Sequence, residues 1–347
     1  MSFSKLFQPM QVGDVQLEHR VVMAPLTRFR AHDNHAPSDL AVQYYEQRSR
    51  VPGTLIIAEG TFMDARTGGL DNVPALETPE QVAGWRKITE VVHKNKSFIF
   101  AQLWALGRSA DPSVLARDGF PYVAASDIPL TGREAPRPLA IIEIKEFVQA
   151  HAKTASKAIE AGFDGVEVYG ANGGLVDQFL QDVSNNRKDE YGGSIENRAR
   201  FALEVIDAMV KEIGVKKVAI RLSPWGRHLD MRMKDPIPTF SYLIKKIVDL
   251  YPDLAYIHVV EPRVEGIEDK IPDEGESSDF LRKIWSPRPY IAAGGLKRDS
   301  AIEFADTKGD LVAFGRFFIA NPDLPYRLKH DLPLNAYDRS TFYKVSS

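Results

Sequence analysis

Eight short apolar runs recur along the chain, at 20–25, 54–60, 97–103, 165–169, 217–224, 255–260, 289–295 and 310–316. Most are rich in Val, Ile and Phe, and several are continuous rather than alternating, which is the pattern of parallel strands buried on both faces. Helical periodicity fills the gaps. The segment 78–94 opens Thr-Pro-Glu-Gln, an N-cap followed by Pro in the first turn. The segment 142–161 stops at Gly162 and 195–213 stops at Gly214, while 240–250 and 298–306 complete the clearer helices. Strands alternating with helices predict a parallel α/β fold. Eight such units favour one (β/α)8 TIM barrel, a single domain over residues 1–347, rather than an open sheet.

Two segments stand outside the repeat. Val12-Gly13-Asp14-Val15 places a Gly-Asp turn between short apolar stretches and predicts an N-terminal β-hairpin. Residues 103–138, after the third strand, form a long Pro- and Gly-containing excursion, and a loop of that length in a compact domain is usually functional or mobile.

Composition narrows the chemistry. Net charge is −3 and no basic stripe points to nucleic acid. The basic spot at 211–217 is interrupted by Glu212 and reads as a solvated helix end. The absence of cysteine excludes disulfides, zinc–thiolate sites, iron–sulfur clusters and thiol nucleophiles. The first residues carry no apolar run long enough for a signal peptide, and no window approaches a membrane span. A cytoplasmic protein without a membrane or nucleic-acid partner is expected, working as a monomer or homodimer.

In barrels of this kind the site lies at the C-terminal ends of the strands. Those positions hold Pro25, Thr27, Glu59, Gly60, Gln102, Trp104, Tyr169, Asn172, Arg221, His258, Gly294, Gly295, Gly315 and Arg316. Gly294-Gly295 and Gly315-Arg316 end strands seven and eight, where glycine lets backbone N–H groups approach phosphate oxygens and arginine supplies a fork of donors. Two ordinary tight turns would show the same letters, but both together, beside Arg316, favour phosphate. Arg221 puts a charge into an apolar strand and needs a partner, either a structural ion pair or negative charge on a bound ring. Gln102 places an amide where a heteroaromatic edge could bond it. His258 and Glu261, with Glu59 and Glu167, raise a metal alternative. No paired-histidine spacing supports it, and no metal is expected. No lysine stands at these strand ends, which disfavours a Schiff base.

These residues resemble the old yellow enzyme family, the FMN-dependent ene-reductases, over nearly the whole chain. The resemblance rests on Pro25-Leu26-Thr27-Arg28-Phe29-Arg30, Ile57-Ala58-Glu59-Gly60, Ala101-Gln102-Leu103-Trp104, the long segment 186–201 and Ala313-Phe314-Gly315-Arg316 followed by Asn321-Pro322-Asp323-Leu324-Pro325. It is similar above all to fungal members acting in alkaloid and other secondary metabolism. The resemblance implies bound FMN, NADPH as reductant and a small α,β-unsaturated carbonyl substrate. Pro25, Thr27, Gly60 and Gln102 would contact the isoalloxazine, and Arg221 its pyrimidine side. Gly294, Gly295, Gly315 and Arg316 would hold the phosphate, and Trp104, Gly174 and Tyr343 would line the substrate pocket. Tyr169, Asn172 and Thr27 are the catalytic candidates.

The chain departs from the family at two places in Val166-Glu167-Val168-Tyr169-Gly170-Ala171-Asn172-Gly173-Gly174. Asn172 keeps one carbonyl-binding position, but Tyr169 stands where His is usual. Gly174 stands where the family has its proton-donating Tyr, and it is expected to offer no donor and to open space. Net reduction then competes with redox-neutral isomerisation or cyclisation, or with desaturation, unless water, another hydroxyl or Tyr169 itself protonates the enolate. A smaller departure is Ala140, where a Thr N-cap is common; its loss should cost about 1 kcal/mol unless another cap substitutes. The apolar surface beside it, Ile141-Ile142, suggests a lid or contact patch. Relatives usually continue somewhat beyond the equivalent of Ser347, which leaves open whether the C-terminus is truncated.

Overall fold

In the computed structural model, which describes residues 4–265 and 268–343, all eight apolar runs are strands. We number them β1 (Val21–Met23), β2 (Leu55–Ile57), β3 (Phe98–Trp104), β4 (Gly165–Gly170), β5 (Val218–Leu222), β6 (Tyr256–Val260), β7 (Tyr290–Ala293) and β8 (Leu311–Phe314). Each pairs in parallel with the next; β8 pairs with β1, and β2 pairs with β3, so the sheet closes. The barrel helices are α1 (Asp39–Arg48), α2 (Pro79–Lys94), α3 (Ile141–Glu160), α4 (Ile195–Ile213), α5 (Ile237–Leu250), α6 (Asp279–Trp285), α7 (Arg298–Glu303) and α8 (Leu324–His330). The C-terminus at Ser347 lies outside the described residues.

Two apolar layers hold this arrangement. The outer one lies between strands and helices, with Trp85, Phe147, Val205, Phe240, Leu281 and Trp285 among its buried members. The inner one fills the lower barrel with Val22, Leu55, Phe100, Ala219, Tyr256, Ile291 and Leu311. The N-terminal hairpin, Met10–Val12 paired with Val15–Leu17, joins that inner layer through Val12, Val15 and Leu17, and so plugs the barrel floor. Its turn requires glycine twice over. Gly13 has φ +53°, and a Cβ there would fall 2.0 Å from the carbonyl oxygen of Lys216.

Capping explains most helix ends. Thr78 and Gln81 form a reciprocal capping box before α2, and Gly162 and Gly214 turn the chain out of α3 and α4 at φ +91° and +89°. At α3, Ala140 has no side-chain acceptor, and only half a box is made. Glu143 accepts the Ala140 N–H at 2.7 Å and is itself held by Arg137 at 2.7 Å. Ile141 and Ile142 beside it are 43% and 68% exposed.

The excursion 103–138 is ordered rather than loose. It contains a short helix, Pro112–Arg117, and a strand pair, Val123–Ala124 with Arg137–Pro138. Leu106, Ala110 and Leu115 build a small core with Phe62, Val73 and Ala75. Buried Arg108 donates to the carbonyls of Ile128 (3.3 Å), Leu229 (3.1 Å) and Asp230 (3.2 Å), which fastens the excursion to the loop after β5. That is how a long loop escapes disorder: its backbone acceptors are satisfied by a buried cation. Helices α1, α6 and α8, and the short helix Leu175–Leu180, lack a clear periodic signal. In α1 tertiary contact decides, because Arg48 bonds the carbonyls of Phe318 (3.1 Å) and Ile319 (2.6 Å) and lies 3.8 Å over the Tyr44 ring.

Substituting Gly13→Ala should destabilise the protein by roughly 2 kcal/mol or more, since neither the dihedral nor the Lys216 carbonyl leaves room for a methyl. Thermal melting checks this, and a melting temperature equal to wild type would show that the hairpin does not plug the floor as described.

Candidate active site

Period-two alternation sends every second strand residue into the barrel. Above the apolar inner layer this sends Gln102 and Trp104 from β3, Glu167 and Tyr169 from β4, Arg221 from β5 and His258 from β6 into the upper barrel. The register agrees: Gln102 pairs opposite Glu167, and Arg221 opposite both Tyr169 and His258.

Glu167 is fully buried among them. Its Oε1 accepts Gln102 Nε2–H at 2.7 Å, and its Oε2 lies 2.9 Å from His258 Nδ1. Burial opposes its charge, but His258, Arg221 and Gln102 outweigh that and hold the carboxyl below its ordinary range. The same burial, reinforced by Arg221, pushes the His258 imidazole down against the raising influence of Glu167. An ionised carboxylate only accepts hydrogen bonds, so His258 must carry its proton on Nδ1, and Gln102 must turn its NH2 toward Glu167. The Gln102 oxygen therefore faces the barrel mouth, where it accepts Trp104 Nε1–H at 2.9 Å. Arg221 Nε is buried with no hydrogen-bond partner among the described residues.

At the ends of β7 and β8 lies a cavity of about 230 Å3, lined by Pro25, Arg221, Gly294, Gly295, Gly315, Arg316 and Tyr343. Lys297 and Arg339 line it too. Gly294 and Gly295 have φ +112° and +63°. A Cβ at Gly315 would fall 3.1 Å from Leu26 Cδ2. Arg316 donates to the Asp269 carboxylate and to Tyr337 Oη (3.1 Å). An anion thus already rests against the arginine beside the glycine cradle, and phosphate oxygens suit the same donors. The cradle, Arg316, Lys297 and the unpaired Arg221 Nε fit the phosphate and ring ends of a flavin mononucleotide. A larger cavity, about 830 Å3, lies on the outer flank between α3 and residues 63–77, away from the strand ends.

The remaining expected residues form a second group. Trp104 covers Gly60, where a Cβ would fall 1.9 Å from the indole, and it takes the acceptor of Gln102. Gly60 and Gln102 therefore face the indole rather than the cavity. The Tyr169 ring lies 5.0 Å from Trp104, tilted by 34°. Burial pushes its phenol up to about 12, against the opposing influence of Arg221 and a hydrogen bond with Asn172. Asn172, at φ +49°, is anchored by its N–H to Ser223 Oγ at 2.7 Å. Gly174 does not open space as expected: a Cβ there would fall 2.5 Å from Tyr169 Cδ1, so the ring already fills that seat. Thr27 is half-buried past the end of β1, and Tyr343 is 55% exposed with its ring 5.6 Å from Phe29.

The four residues of the metal alternative fall into three separate networks, with His258 and Glu167 sharing one. Glu261 is held by Arg282 and Tyr290 Oη (3.1 Å), Glu59 by the Arg28 N–H (3.0 Å) and Tyr45, and Glu167 by His258 and Gln102. Sequence reading passed over the buried helix Leu175–Leu180 that carries the site loop. Asp177 accepts the Gly173 N–H (3.0 Å) and Gln181 Nε2–H (2.7 Å). Gln178 bonds the carbonyls of Leu106 (2.8 Å) and Gly173 (2.7 Å), and Gln181 accepts Arg232 N–H (2.9 Å). Polar residues at 177, 178 and 181 in an otherwise apolar stretch were the available signal.

Residues 5–335 match the family described as NADH:flavin oxidoreductase / NADH oxidase. An NADP-dependent oxidoreductase of Aspergillus flavus is 47% identical over 98% of this chain and 93% of its own length. A chanoclavine-I aldehyde reductase of Penicillium roqueforti is 45% identical over 98% and 93%. A probable inactive reductase of Epichloe festucae is 41% identical over 99% and 93%. Among solved structures, an old yellow enzyme from Pichia superposes with a TM-score of 0.91 at 36% identity, covering 99% of this chain and 91% of that one.

Two substitutions test the buried network. Glu167→Gln leaves Arg221 without its countercharge and should cost about 3 kcal/mol of stability, read as a lower urea midpoint. Asp177 tests the linkage of pH to stability. Burial raises its folded pKa to about 7, against the hydrogen bonds of Gln181 and Gly173. A raised carboxyl pKa contributes stability that is present below the unfolded value and is lost as pH rises through the folded one. The stability difference between wild type and Asp177→Asn should therefore move against wild type between about pH 4 and about pH 7 and level off above that. A pH-independent difference would contradict the raised pKa.

Proposed function

Since the chain belongs to the NADH:flavin oxidoreductase / NADH oxidase family, we propose that residues 1–347 form one FMN-binding domain whose site handles a small α,β-unsaturated carbonyl compound of secondary metabolism. FMN is the cofactor and NADPH the reductant. The observation that carries the reading is the joining, on one barrel face, of the glycine cradle with Arg316 and the unpaired Arg221 Nε.

Gly294, Gly295, Gly315 and Arg316 would hold the phosphate. Pro25, Thr27 and Arg221 would border the ring. By the resemblance, Gly60 and Gln102 would border it too. FMN supplies hydride exchange when bound. The chain supplies binding and polarisation of the carbonyl oxygen. Tyr169, kept protonated by its raised pKa, donates one hydrogen bond, and Asn172 donates the second. Both donors stand ready before charge develops on the oxygen, which is what makes such groups effective. Trp104 and Tyr343 bound the pocket.

Gly174 favours a second reading. No hydroxyl stands at that position to protonate the α-carbon, so a redox-neutral isomerisation or cyclisation, or a desaturation, competes with net reduction. A third outcome, ligand binding without turnover, has its analogue in the relative named probable inactive, and the complete cradle argues against it.

The purified protein should be yellow and release FMN; a colourless protein that cannot be reconstituted would defeat the first two readings. Under anaerobic conditions NADPH should remove the yellow absorbance, and a suitable enone should restore it. NADPH loss equal to alkene loss marks reduction, whereas product without NADPH loss marks the redox-neutral course. Tyr169→Phe should lower kcat/KM about a hundredfold, and unchanged kinetics would remove Tyr169 from carbonyl binding.

A further inference from the structure

Gly173 and Gly174 are adjacent, yet they are glycine for different reasons. Gly173 has φ +81°, a conformation that favours glycine by itself. Gly174 has φ −67° and ψ 168°, ordinary values for any residue. What excludes a side chain at 174 is one neighbour: an ideal Cβ would lie 2.5 Å from Cδ1 and 2.7 Å from Cε1 of Tyr169.

The Gly174 backbone cannot withdraw, and the Tyr169 ring has an aromatic neighbour. The Gly174 backbone is pinned, because Gln178 N–H bonds its carbonyl at 2.9 Å and the next residue's N–H bonds Ala105 O at 2.9 Å. Tyr169 is on β4 inside the barrel, and the Trp104 ring stands 5.0 Å away. That indole rests in turn on the bare Cα of Gly60. Two aromatic rings are thus bracketed by two glycines, Gly60 on one side and Gly174 on the other.

We propose that Tyr169 and Gly174 are one steric unit: the side chain missing at 174 is the seat of the Tyr169 phenol, and Gly174 is the residue that positions it. The two departures from the family pattern are then a single exchange. The inference rests on the reading of Tyr169 as a carbonyl-binding group only where substrate is concerned; the packing claim stands independently. It also means that a tyrosine introduced at 174 alone would meet an occupied seat.

The test is a double-mutant cycle on the FMN-loaded protein, with flavin content measured for each variant. Gly174→Ala should lower the Tm by about 2–6 °C when Tyr169 is present, and by about 1 °C or less beside Tyr169→Ala. Equal losses in the two backgrounds would overturn the proposal. Cyclohexenone supplies a readout that a merely structural role would not move. Each single variant should raise its KM about tenfold, and the double variant no further. Multiplying effects, about a hundredfold in the double variant, would mean that residue 174 acts on substrate independently of Tyr169 and would overturn the positioning claim. If no variant, wild type included, turns over cyclohexenone while the Tm cycle shows coupling, the steric unit stands and the enone reading fails for that substrate.

Discussion

An ionised carboxylate inside a barrel is the constraint on which the rest of the site depends. Glu167 is taken out of water entirely, and that is tolerable only if its oxygens are hydrogen-bonded and its charge is balanced. The consequences propagate outward. Gln102 must offer its NH2 inward and its carbonyl oxygen outward, His258 must be protonated on Nδ1, and Arg221 must stay nearby as countercharge. The hydrogen-bonding character of the barrel mouth is therefore set from below, before any ligand is considered. A donor-only group such as the Trp104 indole is what the Gln102 oxygen accepts.

The barrel serves this layer from both sides. Beneath it, the hairpin and the inner apolar layer exclude water, which keeps the dielectric low and makes each polar contact count for more. Above it, the loops are fixed by buried polar side chains. Arg108 ties the long excursion to the loop after β5, and Asp177, Gln178 and Gln181 tie the Asn172–Gly174 loop to both. Loops that carry function gain precision when such bonds, rather than their own sequence, decide their path.

Much of this was legible in the chain. All eight strands fell where continuous apolar runs predicted them, and the helix ends at Gly162 and Gly214 followed from glycine. Nearly the full set of strand-end residues came to one face, because a parallel barrel leaves no choice about which strand ends carry loops. The misses share a cause. Helices α1, α6 and α8 lack a periodic stripe and are held by particular contacts such as Arg48 with Phe318. The excursion read only as functional or mobile because Arg108 looks like any surface arginine until its carbonyl partners, more than a hundred residues away in the case of Leu229, are in place.

By itself the sequence determined the eight strand–helix units that favour a barrel, the glycine pairs with their arginine, and the family to which they belong, because periodicity and short motifs are local properties of a chain. Only the tertiary structure decided what the two departures amount to. The letters at 169 and 174 read as one altered group and one missing group, with space left open between them. In the folded chain the phenol of Tyr169 occupies the place where a side chain at 174 would stand. A glycine in a sequence says only that a Cβ is absent; which atoms fill the volume is settled by packing density, and protein interiors leave few such volumes empty.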